Sequence, residues 1–120
     1  MHSKWKMVEQ HSAIGEELFC KNDFEGANKE FEKALESALE LSNPEMDDAT
    51  FVKLYLKLAY YNEMIADCRL KAGLPVDRID MKYFSAMLVY GLLYKYHNQK
   101  CKNDYLRVQR KLDELKIGED

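Results

Sequence analysis

Apolar residues recur along most of the chain at steps of three and four positions, which is the spacing of one helix face. The clearest stripe lies between residues 24 and 41, where Glu and Lys occupy most positions off the stripe. Such a stripe has to be buried against a neighbouring element. Because only Asn22 and Asp23 separate it from the periodic segment before it, the pattern predicts an antiparallel helical hairpin. The stripe consists of Phe24, Ala27, Phe31, Ala34, Ala38 and Leu41.

The remaining pattern extends this hairpin to an all-α fold of about five helices. The first helix is predicted at about residues 3–22, and the second, capped by Asp23, at about residues 24–41. Asn43 followed by Pro44 predicts the start of a third helix that continues to about residue 72. This third helix is apolar on nearly every side, so we expect it at the centre of the fold.

Two further helices follow a break at residues 73–75. The fourth is predicted to begin at Asp77 or Asp80 and to end near residue 96. The fifth covers about residues 104–117, and Gly118 is a natural stop. No segment has the alternating pattern of a strand.

Composition places the chain among ordinary globular domains. The 120 residues suit a single domain over residues 1–120, and 47% are hydrophobic and 32% charged. The net charge of −3 offers no basic field for nucleic acid, although the last third carries a weak excess of Lys and Arg. The most apolar run, residues 83–94, is too short to span a bilayer, and the first residues lack the apolar core of a signal peptide. We therefore expect no membrane segment, and a buried helix at residues 83–94.

Candidate chemistry is sparse. Cys20, Cys68 and Cys101 are widely spaced and odd in number, which favours reduced thiols in a cytoplasmic protein. A metal pair of His11 and Cys20 lacks further ligands at a suitable spacing. Phosphate-binding loops and nucleophile motifs are also missing from the sequence. We therefore expect no catalytic residues, no metal, no cofactor and no enzymatic activity.

The first hairpin resembles the tetratricopeptide-repeat (TPR) family. In that family small and large residues alternate at fixed offsets, so that two helix backbones approach closely while aromatic rings fill the remaining space. The resemblance covers repeat 1, at about residues 5–41, and rests on Gly15, Leu18, Phe24, Ala27, Phe31 and Ala34. It implies stacked antiparallel hairpins and a role in binding other proteins.

A second, degenerate repeat is similar to the family at about residues 54–96. Ala66 takes the position of Gly15 but follows it by about 50 residues, whereas a standard repeat has about 34. The excess resembles the extended first repeat of immunophilin-type co-chaperones. The fifth helix, about residues 104–117, then acts as a C-terminal cap.

Co-chaperones of this family hold the C-terminal carboxylate of Hsp70 or Hsp90 with Lys and Asn side chains. Carried over by position, the Lys falls on Ser12, the first Asn on Glu16 and the second Asn on Met64. A carboxylate would be repelled by Glu16, and Ser12 adds no compensating charge. The resemblance therefore predicts that chaperone tails do not bind.

The TPR resemblance also implies a binding groove lined by the first helix of each repeat. The lining is acidic with aromatic and Met side chains, so a basic or amphipathic peptide of a partner protein is the expected ligand. This interpretation makes the chain an adaptor or scaffold. The predicted groove residues are Glu9, Ser12, Glu16 and Phe19 from repeat 1, and Tyr60, Glu63, Met64 and Asp67 from repeat 2.

Two alternatives stay open from the sequence. In the first, the apolar third and fourth helices form a homodimer or dock on a larger assembly, because a short repeat array leaves an end face uncovered. In the second, the hairpin resembles the three-helix domains that bind tail helices of ESCRT-type proteins, for which 120 residues is long.

Overall fold

The computed structural model describes the backbone of residues 2–119 and the side chains of residues 4–117. Within residues 2–119 it contains five α-helices and no strand, so the all-α prediction is confirmed. The predicted domain limits at residues 1 and 120 lie outside the described residues. The helices are α1 (His2–Cys20), α2 (Phe24–Leu39), α3 (Asp48–Lys71), α4 (Asp80–Tyr96) and α5 (Cys101–Glu119), with a short 3-10 helix (Val76–Arg78) before α4.

Consecutive helices are antiparallel, and each packs chiefly against its neighbours in the chain. Side chains of α1 and of α5 also reach α3, through Glu9 to Lys57 on one side and Glu63 to Arg107 on the other. Helices α1, α3 and α5 therefore form one layer and α2 and α4 a second. The shortest dimension of the molecule, 20 Å, matches two helix diameters. The expectation that α3 lies at the centre is confirmed.

The first hairpin folds as its local sequence predicts. Asn22 adopts a left-handed backbone with a φ of 64°, which turns the chain sharply after α1. The side chain of Asp23 then accepts a hydrogen bond of 2.9 Å from the amide of Gly26, which confirms Asp23 as the cap of α2. Ala27 and Phe31 on α2 are fully buried against the rest of the bundle.

The start of the third helix was predicted too early. Asn43 does not cap it, because its side chain accepts a hydrogen bond from the amide of Glu45 and forms a local turn. The helix begins at Asp48, and Asp47 is its cap, with a bond of 2.7 Å from the amide of Thr50 to Oδ1 of Asp47. A loop therefore replaces the predicted helical residues 44–47.

The last helix is longer than predicted at both ends. It begins at Cys101 rather than at about residue 104, and it continues through Gly118 to Glu119. At its start, Oδ1 of Asn98 accepts a hydrogen bond from the amide of Lys100. Gly118 therefore lies inside α5 and is not its stop.

The core has two parts that meet at α3. One part joins α1, α2 and α3 around Phe31, Tyr61 and Ile65. The other joins α3, α4 and α5 around Tyr83 and Leu93. Because α3 contributes to both, its apolar residues on several sides are explained by packing.

Candidate interaction surfaces

The α1 half of the predicted groove contains two carboxylates, Glu9 and Glu16, and both are exposed. The hydroxyl of Tyr60 donates a hydrogen bond of 2.9 Å to Oε1 of Glu16. Nζ of Lys57 lies 4.0 Å from Oε1 of Glu9. Burial raises the pKa of Tyr60, and the bond to Glu16 raises it further, so the phenol stays neutral and remains a donor. The carboxylates of this half are thus matched with donors on α3.

Three other predicted groove residues, Ser12 and Phe19 on α1 and Met64 on α3, contribute partly to packing. Phe19 lies edge-on against Phe24, with the ring centroids 5.2 Å apart, and Met64 packs against the first part of the core. Ser12 is half-buried near Tyr61. Their positions at the layer surface leave them accessible only in part.

The α3 half of the groove differs from the expectation because α5 covers it. The side chain of Glu63 is almost fully buried, with the residue only 3% exposed. Nε and Nη2 of Arg107 donate hydrogen bonds of 2.8 and 2.7 Å to its two oxygens, and Nζ of Lys111 donates a third of 2.7 Å. A bidentate Arg pair of this kind fixes both distance and orientation. Glu63 therefore holds α5 on α3 and does not line an open groove.

Asp67 takes part in the same arrangement one turn further along α3. Nζ of Lys111 lies 3.2 Å from each of its oxygens, and the hydroxyl of Tyr83 donates a hydrogen bond of 2.5 Å to Oδ1. We call Glu63, Asp67, Arg107 and Lys111 the α3–α5 charge cluster. Nη1 of Arg107 also donates a hydrogen bond of 2.6 Å to Oδ1 of Asp104. Three carboxylates therefore meet two cations, and the acidic potential expected around Glu63 and Asp67 is largely compensated within the fold.

The cluster also sets the protonation of its members. Burial raises the pKa of Glu63, but the hydrogen bonds from Arg107 and Lys111 outweigh burial and leave the pKa below its usual value. The hydrogen bonds that Arg107 donates to Glu63 also raise the pKa of Arg107. The guanidinium carbon of Arg107 lies 5.7 Å from the ring centroid of Tyr90, which adds a cation–π contact. The buried carboxylate is therefore ionised at neutral pH.

A sequence signal for this cluster existed and was missed. Glu63 and Asp67 are four residues apart on α3, as are Arg107 and Lys111 on α5. Such spacing places each pair on one helix face, and the two faces have opposite charge. In the sequence alone, these cations stand out only as part of the weak excess of Lys and Arg in the last third.

The most exposed apolar surface lies on α4. Five large side chains at steps of three and four residues are each between 40% and 64% exposed. The opposite face of the same helix is buried in the core through Tyr83, Ala86, Tyr90 and Leu93. The expected buried helix at residues 83–94 is therefore buried on one face only. We call the exposed residues the α4 stripe: Met81, Phe84, Leu88, Leu92 and Tyr96.

The α4 stripe is about 22 Å long at the rise of an α-helix. Asp80 and Lys95 lie beside its two ends. At the Asp80 end a shallow groove of about 210 Å³ lies between α4 and α5, lined by Met81, Phe84 and Leu112 together with Asp80 and Lys116. A contiguous apolar patch of this kind marks an interaction site more often than scattered surface residues do.

In the part of the chain that the structure describes, no three His, Cys, Asp or Glu side chains come together as a metal site would require. Cys20 is exposed, whereas Cys68 and Cys101 are buried. Among the described helices none combines the length and the apolar character needed to cross a membrane.

Comparison with protein-family models, curated proteins and solved structures finds no match to this chain. The resemblance to the TPR family therefore stays a prediction from the residues of the first hairpin.

Proposed function

We propose that this chain is a non-catalytic protein-interaction domain and that the α4 stripe is its principal contact surface. The observation that carries the proposal is the exposure of five large apolar side chains on one face of a helix whose other face is fixed in the core. When another protein covers such a surface, apolar area is removed from water. The loss of conformational entropy is small, because the helix is already formed.

The predicted groove is a weaker candidate for the same role. Glu63 and Asp67 are already paired with Arg107 and Lys111, so a basic peptide would have to compete with bonds inside the fold. Within residues 4–117 the exposed part of the α4 stripe takes part in no ion pair, and its Tyr96 ring has a cation–π contact of 5.2 Å with Nζ of Lys95. A partner with a matching apolar face therefore fits the α4 stripe better than a basic peptide fits the groove.

We also propose that the fold is TPR-like. The support is the close packing of Phe31 against Gly15 and the full burial of Ala27 and Ala34. The alternation of α1, α3 and α5 with α2 and α4 in two layers is what stacked hairpins require. Under this proposal α5 is the cap, and its charge cluster with α3 is what holds it in place.

The test uses the domain as a bait, with two variants that introduce the same charge at different places. Leu88→Arg disrupts the centre of the α4 stripe, and Leu106→Arg changes an equally exposed leucine on α5 (49% and 46% exposed). We expect protein captured from a lysate of the source cells to be lost with Leu88→Arg and kept with Leu106→Arg.

A third variant, Glu16→Lys, tests the groove. Glu16 is exposed, so its replacement should leave the helix content in circular dichroism unchanged. Loss of the captured protein with Glu16→Lys, together with its retention with Leu88→Arg, would contradict the α4 stripe and place the contact in the groove.

A further inference from the structure

The α4 stripe has a nearly palindromic spacing about Leu88. Phe84 and Leu92 lie four residues before and four residues after it, and Met81 and Tyr96 lie seven before and eight after. If two copies of α4 cross antiparallel at Leu88, each stripe residue therefore meets a stripe residue of the other copy. This self-complementarity is what a two-fold symmetric interface requires.

The charged residues Asp80 and Lys95 are also placed almost symmetrically about Leu88. Asp80 lies eight residues before Leu88 and Lys95 seven residues after it. Fifteen residues at about 100° per residue return to within about 60°, so Asp80 and Lys95 lie on the same side of the stripe. The two-fold axis passes by Leu88, is perpendicular to both α4 helices and lies in the plane between them. It places each side of one α4 stripe next to the same side of the other stripe. Because the helices are antiparallel and the sides are preserved, Asp80 of each copy lies beside Lys95 of the other.

The ends of the α4 stripe also fit this arrangement. In the antiparallel dimer Tyr96 of the second copy reaches Met81, on the side of the stripe away from Asp80. Both side chains are exposed in the single chain, Tyr96 by 64% and Met81 by 63%. A large aromatic side chain that the partner covers is typical of interface anchors.

We propose that the α4 stripe binds a second copy of this chain, in an antiparallel two-fold dimer centred on Leu88. This inference rests on the proposed protein-interaction function and names its partner. Each copy buries about 500 Å² of apolar surface, from five large side chains that are about half exposed, or about 1,000 Å² in total. That area is at the lower end for specific interfaces, so the dimer forms reversibly with concentration.

The first experiment measures the molar mass of the purified domain by sedimentation equilibrium, from low micromolar to submillimolar concentration. We expect a reversible shift from monomer to dimer in the wild type and in Leu106→Arg. Leu88→Arg should remain monomeric, because two Arg side chains would meet on the two-fold axis. A wild type that stays monomeric throughout, or a dimer that Leu88→Arg leaves intact, would overturn the proposal.

A second experiment tests the antiparallel register and does not depend on folding effects at Leu88. Asp80→Lys and Lys95→Asp each place like charges at both ends of the interface and should weaken the dimer about tenfold. In an equimolar mixture of the two variants, both ends carry opposite charges, so the mixed dimer should form about as well as the wild-type dimer. Restoration by mixing would support this register, because a folding defect in either variant could not be repaired by mixing. Failure of mixing, with the wild-type helix content of both variants verified by circular dichroism, would exclude the arrangement.

The two proposals can fail separately. A monomeric wild type whose capture of another protein is abolished by Leu88→Arg overturns the homodimer and leaves the α4 stripe as an interaction surface. A dimer that is insensitive to Leu88→Arg, together with capture that is also insensitive, removes the α4 stripe from both.

Discussion

The ring of Phe31 lies directly against the backbone of Gly15, so that a Cβ atom on residue 15 would come within 3.0 Å of the ring. Phe31 is fully buried and its ring lies 6.2 Å from that of Tyr60 and 6.3 Å from that of Tyr61. It therefore has little room to move away. The hairpin of α4 and α5 contains a similar contact, in which a Cβ atom on Gly91 would lie 3.1 Å from the ring of Tyr105.

These two glycines should respond differently to the same substitution. Replacing a helical Gly by Ala favours folding by up to about 1 kcal/mol, whereas overpacking a core costs about 1–3 kcal/mol. Gly15→Ala should therefore lower the free energy of unfolding by up to about 2 kcal/mol. Gly91→Ala should be within about 0.5 kcal/mol of the wild type, because Tyr105 is half-buried and can shift outward. Urea denaturation of both variants decides this, and a Gly15→Ala variant as stable as the wild type would contradict the packing at Phe31.

The first hairpin could be predicted because its information is local. Asp23 caps the helix that begins at the next residue, and Gly15 and Phe31 follow a regular spacing. The start of α3 could not be predicted in the same way, since Asn43 and Asp47 are both acceptable caps. The choice between them depends on where the chain must go after α2, and that is set by packing with the rest of the bundle.

The start of α3 at Asp48 predicts which residue caps this helix and contributes to stability. Asp47→Ala removes the acceptor for the amide of Thr50 and should lower the melting temperature measurably. Asn43→Ala removes only the local bond to Glu45 and should have a smaller effect. The hydrogen bond from Thr50 also lowers the pKa of Asp47, which keeps the cap ionised. A larger loss of stability for Asn43→Ala would support the earlier start of the helix instead.

The candidate site was less accessible to prediction than the hairpin. Periodicity gives the angular position of Glu63 on α3, but it does not show that α5 returns to cover that side. The exposure of the apolar run on α4 was also not predictable from the sequence. Its composition indicated burial, yet Leu88 and Leu92 remain exposed because no helix of the described chain packs on that face.

The cysteines provide a test of burial that is independent of stability. Burial raises the pKa of the Cys68 thiol to about 12 and also raises the pKa of Cys101. Since the thiolate is the reactive form, neither should be alkylated in the native protein at pH 8. Cys20 is exposed and should react.

Mass spectrometry after brief treatment with iodoacetamide should find one label on the native chain and three labels after unfolding. A Cys20→Ser variant should carry no label in the native state. Native labelling of Cys68 would contradict the packing of α3.

The α3–α5 charge cluster predicts a specific loss of stability in acid. The pKa of Glu63 is lower in the folded than in the unfolded chain, so its contribution is complete above the unfolded value of about 4.3 and is lost as the pH falls through the folded value. Glu63→Gln leaves Arg107 and Lys111 without their shared carboxylate and should cost about 2–3 kcal/mol at pH 7, less than a fully buried pair because both cations are partly exposed. Urea denaturation at one fixed protein concentration should show that the free energies of unfolding of wild type and Glu63→Gln converge below about pH 4.

Glu17→Gln serves as the control, because it breaks an exposed pair with Lys21, and it should change the free energy of unfolding little at any pH. A constant difference between wild type and Glu63→Gln from pH 7 to pH 3 would contradict a contribution that depends on the ionised form of Glu63.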